Sequence, residues 1–153
     1  MPSILELSYA QAIRALDLQE RGIDQLRNRA GVVLTAASVT ASFLGAQTIQ
    51  HTTHLGVLEI LALTSLAGSI CLSIYILLPK QGFVFSVSAP RVYERLYSED
   101  PDEAQRQLLY WFEDYWSDNQ DKIVNLGRFF FAASMALVFQ FVFWSWALID
   151  RIS

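Results

Sequence analysis

Three stretches of the chain run long with almost no charge. Residues 30–49 are 20 positions without a charge, residues 55–78 are 24 positions with one, Glu59, and residues 129–149 are 21 positions with none. At 1.5 Å per residue, about 20 helical residues cover the roughly 30 Å hydrocarbon core of a bilayer, so each stretch predicts a membrane-crossing helix. A signal peptide would place its apolar core near the start. Here the first 29 residues carry four acids and four arginines instead, so none is expected.

Outside these stretches the pattern changes to helical seams. Leu5, Tyr9, Ala12, Leu16, Gln19, Ile23, Leu26 and Ala30 alternate spacings of four and three, which predicts a helix running without a proline from residue 3 into the first span. Leu108, Phe112, Tyr115, Asn119, Ile123, Leu126 and Phe130 follow a similar track into the third span. Its start is marked by Asp100 as N-cap, Pro101 in the first turn and Glu103 placed to close a capping box. Between them, residues 82–88 (GFVFSVS) are β-prone and predict an extended strand or a buried loop, and Ser88 and Pro90 open a short helix to Tyr97. The expected architecture is therefore an all-α membrane protein. Three transmembrane helices (30–49, 55–78, 129–149) are joined to a cytoplasmic helical stalk, built from residues 1–29 and 79–128 as extensions of the first and third spans.

The basic residues orient it. Arg14, Arg21, Arg27 and Arg29 precede span one, and Lys80, Arg91, Arg95, Arg106, Lys122 and Arg128 separate spans two and three. The connector 50–54 has no Lys or Arg, and only Arg151 follows span three. The positive-inside rule then places the N-terminus in the cytoplasm and the C-terminus outside.

Composition narrows the function. Hydrophobic residues are 53% and charged residues 17%, against roughly 25% charged in an ordinary soluble domain. A net charge of −4 argues against a nucleic-acid partner, and the single Cys71 excludes an internal disulfide or a multi-cysteine zinc site. Phosphate loops, nucleophile elbows and H-E-x-x-H are missing, so no catalytic residue, cofactor or metal is expected and the chain reads as a non-enzyme. His51, His54 and Glu59 fall close together, but a solvated turn explains them better than a metal site.

Two groups of residues remain as functional candidates. Thr35, Ser38 and Ser42 form a hydroxyl stripe beside the small residues Ala37, Ala41 and Gly45, and Glu59 is the one ionisable group inside a span. Helix packing explains the stripe; a pore lining, with Glu59 at its mouth, is the functional alternative. In the stalk, Tyr110, Trp111, Phe112, Tyr115 and Trp116 crowd seven positions. They cover most of the helix circumference, which points to an oligomer interface at Trp111, Phe112, Tyr115 and Trp116. Asp114, Asp118 and Asp121 share one face, solvated or paired with Arg14 or Arg21. Span three carries the phenylalanines and is expected to face lipid, with Trp144 and Trp146 in the outer interfacial belt and Gln140 turned inward.

The helix leading into Asn28-Arg29-Ala30-Gly31, the small-residue span after it, the short outer turn, the Pro79-Lys80 exit and the Asp-rich returning helix resemble the small bacterial transmembrane effectors of nucleotide-linked antiphage systems, the SLATT-type and related families. A third span is added to their two-span layout. The resemblance implies an inner-membrane protein that oligomerises and breaches the membrane when a cytoplasmic signalling partner or messenger reports infection. The expected function is a homo-oligomeric membrane effector or channel-like pore gated through its stalk. The alternative is a non-conducting anchor or scaffold that recruits a cytoplasmic partner.

Overall fold

The computed structural model describes residues 3–49, 56–79 and 82–152. Every regular element among them is helical: α1 (Ile4–Thr40), a π turn (Ala41–Gly45), α2 (Ala46–Ile49), α3 (Val57–Leu77), α4 (Ala89–Leu96) and α5 (Pro101–Ile152). Among the described residues two helices are long and apolar enough to cross a membrane, Val57–Leu77 and Pro101–Asp150. The remaining apolar stretch, 30–49, is divided between α1, the π turn and α2.

The starts follow local chemistry. Ser3 and Glu6 close a reciprocal capping box, with Ser3 N–H donating to Glu6 Oε2 at 2.9 Å and Glu6 N–H donating to Ser3 Oγ at 3.1 Å. Asp100 caps α5 as expected, accepting from the Asp102 N–H at 2.9 Å. Glu103 does not close a box. It pairs with Arg106, whose pKa it raises by hydrogen bond and charge. Oppositely charged side chains three residues apart on a helix are neighbours, and Arg106 takes the carboxylate here.

The helices divide between two compact units, Met1–Asp24 with Lys80–Asn125 and Gln25–Pro79 with Leu126–Ser153. In the first, the predicted seams face each other. Leu16, Ile23, Leu96, Phe112 and Asn119 are buried, and Tyr9 packs against Phe112 with ring centroids 5.6 Å apart. The polar member of the α1 seam, Gln19, is buried because its amide donates to Trp116 O at 3.0 Å and Gln120 Oε1 at 3.2 Å. The β-prone segment forms a loop and not a strand. It turns at Gly82, whose φ of 115° suits a residue without Cβ, and is fixed to α5 by Asn119 and Lys122.

The second unit packs the end of α1, α3 and the end of α5 through small residues. Ala30, Ala37, Ala62, Ser69 and Ala133 are all fully buried, so the backbones approach closely. Ser69 Oγ donates to Ala133 O at 3.2 Å, and Gln140 turns inward to donate to Ala37 O at 2.9 Å. Trp144 corrects the expectation of an outer belt. It is 1% exposed and its ring lies over Gly45, where an added Cβ would stand 3.4 Å away. Phe131, Phe139, Phe141 and Trp146 form the exposed face of this part of α5.

Candidate functional site

The hydroxyl stripe lies on the surface of the second unit. Thr35, Ser38 and Ser42 are exposed, and each hydroxyl donates to the carbonyl four residues back: Gly31 O at 3.0 Å, Leu34 O at 2.9 Å and Ser38 O at 2.9 Å. The hydrogens are thus satisfied within α1 and the oxygen lone pairs face outward. Ser42 lies in the π turn, where the helix widens by one residue. Exposed Val32, Val39 and Phe43 flank the stripe, so it is a narrow polar line on an apolar surface.

Glu59, the one ionisable group of the second apolar stretch, lies at the start of α3. It stands at the third position of α3 after the N-cap Gly56 and is only 6% exposed. Its carboxylate folds back over the cap: a Cβ on Gly56 would lie 2.5 Å from Glu59 Oε2. A carboxylate here meets the free N–H groups and positive dipole end of the helix, which accounts for burying a charge beside an apolar span. Stripe and carboxylate are therefore not one continuous surface, since one is exposed and the other enclosed. His51 and His54, weighed with Glu59 as ligands, lie outside the described residues. Among the described residues no cluster of His, Cys, Asp or Glu could hold a metal ion.

The aromatic cluster of the first unit separates into three environments. Phe112 is buried against Tyr9 inside the chain's own core, so it is not available to a second subunit. Trp111 and Tyr115 are half-buried and wall a small hollow of about 260 Å³ with Arg91, Arg95 and Asp114, the Arg95 guanidinium lying 5.6 Å from the Trp111 ring centre. Trp116 is 37% exposed and, with Leu109 and Tyr110, lines a groove of about 550 Å³ against Ser8, Gln11, Ala12 and Ala15 of α1. A third cavity of about 520 Å³ lies between α1, the 82–88 loop, α4 and α5, with Tyr9, Ile13, Phe85 and Val92 in its wall.

No family model matches the chain, and no curated protein or solved structure matches it. The site therefore rests on its own geometry. Two features escaped the periodicity argument: the contact between Gly45 and Trp144, and the Asn119 clasp on the 82–88 loop. Gly45 opposite a large aromatic is a small-to-large pairing that a small-residue repeat signals only in general terms.

Proposed function

We propose that the chain is a homo-oligomeric inner-membrane effector, a channel-like pore gated through its cytoplasmic helical part. Three spans, 30–49, 55–78 and 129–149, cross the bilayer with the N-terminus inside and the C-terminus outside. The observation that carries this reading is the exposed line of Thr35, Ser38 and Ser42 in an apolar stretch. Hydroxyl oxygens that face out of one subunit line a water path when several subunits surround an axis, and the bulky Val39 and Phe43 beside them provide the dry constriction that closes it. A change in packing of the cytoplasmic helices rotates α1 and exchanges one surface for the other. The resemblance noted above makes infection the natural trigger and a cytoplasmic signalling partner its carrier.

Flux of ions from liposomes holding the purified protein tests this. Thr35→Val, Ser38→Ala and Ser42→Ala together keep volume nearly constant and remove every outward oxygen, so leak falls while assembly persists. Unchanged leak in a correctly assembled triple variant removes α1 from the pore.

A second reading, a non-conducting anchor or scaffold, is favoured by the back-bonded hydroxyls and the enclosed Glu59. Hydroxyls satisfied by their own helix are tolerated against lipid, and hydrogen bonds they make between helices are worth only about 0.6 kcal/mol each. Under that reading no variant leaks, and the stripe serves association alone.

A further inference from the structure

In the Met1–Asp24/Lys80–Asn125 unit, α1 and α5 each carry a second seam on the face opposite the buried one. On α1 it is Ile4, Leu7, Gln11, Arg14, Leu18 and Arg21, spaced alternately three and four, half a turn away from Leu16 and Ile23. Ile4 is 85%, Leu7 57% and Leu18 61% exposed, which a merely solvated face does not require. On α5 the corresponding seam is Tyr110, Asp114, Ser117, Asp121 and Val124, opposite Phe112 and Asn119 and also exposed, with Asp118 at its edge. The seam of α1 carries two arginines beside Asp17, and that of α5 carries two aspartates, of which Asp114 also shares a hollow with Arg91 and Arg95 of α4. Neither Arg14 nor Arg21 forms an ion pair with Asp114, Asp118 or Asp121 among the described residues, and apart from Gln11 and Tyr110, which reach the rim of the groove between α1 and α5, the two seams lie away from the contact between their own helices.

We propose that these back faces form a head-to-tail interface between copies of this chain, the basic seam of α1 docking on the acidic seam of α5 in the next copy. The proposal rests on the homo-oligomer reading and names its surface. A second copy is the occupant because the two seams match in charge, spacing and height. Tyr9 meets Phe112 and Gln19 meets Gln120 within one chain, so the helices run parallel and in fixed register. In a ring whose axis follows the helices, copies share height. Leu7 then stands level with Tyr110, Arg14 between Asp114 and Asp118, and Arg21 beside Asp121. Two different faces on each copy give a heterologous contact, which builds a ring where the rotation from copy to copy closes, whereas one self-complementary face stops at a dimer. The aromatic cluster thereby loses its place as the interface, with Tyr110 alone joining it.

Two full-length Cys71→Ser variants of different mass, one with Leu7→Cys and one with Tyr110→Cys, are co-expressed, purified together and oxidised. A disulfide-linked band of mixed mass is expected, with little self-pairing of either variant. Self-paired Leu7→Cys as the main product overturns the proposal in favour of a two-fold contact. Arg14→Glu with Arg21→Glu in the first variant reduces the mixed band about tenfold, and Asp114→Arg with Asp121→Arg in the second restores it. A mixed band insensitive to both changes, or a folded reversal that is not restored, overturns the charge register. Light scattering separates the two readings: an oligomer without the mixed band removes this interface alone, and a monomer removes the homo-oligomer as well.

Discussion

The side chain of Asn119 holds both backbone polar groups of Val84, accepting from its N–H at 3.2 Å and donating to its C=O at 2.8 Å. A neighbouring strand would satisfy a residue in the same way, so one buried amide takes the place of a sheet partner. Lys122, one turn further along α5, donates to Gly82 O at 2.6 Å and lies 5.8 Å from the Phe83 ring centre. The loop is held by α5 at both points, and its far side forms a wall of the apolar cavity that Tyr9 and Ile13 face.

Asn119→Leu keeps the volume and removes both bonds. Val84 is exposed and water can replace the lost partner, so each bond is worth about its net 0.5–1.5 kcal/mol, and the variant is expected to lose about 1–3 kcal/mol of stability and to loosen the loop. Asn119→Asp keeps the acceptor and loses the donor, and falls between. Hydrogen exchange at the Val84 amide measures this. Protection unchanged in Asn119→Leu would mean that the loop holds itself.

How far the chain was readable follows from what each residue had to distinguish. Leu16, Ile23, Phe112, Asn119 and Leu126 are buried where the three-four spacing placed them, because the more continuous apolar stripe of each helix forms its core. The aromatic cluster defeated the same argument. Rings at Trp111, Phe112, Tyr115 and Trp116 cover nearly every direction, and spacing alone does not tell which one meets Tyr9. Trp144 was misplaced for another reason: lipid and a neighbouring helix are equally apolar, so hydrophobicity does not say which covers a tryptophan. The strand-or-loop choice at 82–88 turned on Asn119, distant in sequence. The π turn has no residue signature beyond Gly45.

Gly45 is expected to accept a methyl group and nothing larger. An alanine Cβ would lie 3.4 Å from Trp144 Cζ2, at the edge of ordinary contact, so Gly45→Ala should change stability little. Gly45→Leu drives further carbons into the indole and is expected to cost about 1–3 kcal/mol by overpacking. Thermal unfolding in detergent compares them. Equal melting of both would show that the Trp144 ring moves aside freely.

Gly56 and Glu59 should behave as a linked pair. The Cβ of Gly56→Ala, 2.5 Å from Oε2, displaces the carboxylate from the helix start. The expected loss is about 0.5–2 kcal/mol, the range for a lost cap interaction. Glu59→Gln alone loses the charge–dipole part of the same contact, about 0.3–1 kcal/mol. The double variant should lose less than the sum, since the second change removes something already displaced. Strict additivity in a double-mutant cycle would mean that the carboxylate acts elsewhere.

Membrane orientation has a direct chemical readout. On the proposed three-span reading, ten of the 11 Lys and Arg residues lie before span one or between spans two and three, segments that the positive-inside rule assigns to the cytoplasm. Single cysteines at Thr52 and Ser153, in a Cys71→Ser background, should therefore react with an impermeant thiol reagent in intact cells. A cysteine at Ser98, which is exposed just before α5, should react only after the cells are opened. Cys71 must be removed first because it is itself exposed on the chain's surface. Labelling at Ser98 but at neither other position would invert the orientation and place α4, the 82–88 loop and both charged back faces outside the cell. Labelling at Thr52 without Ser153 would leave two crossings, with α5 entering but not traversing the bilayer, and the third span would be lost.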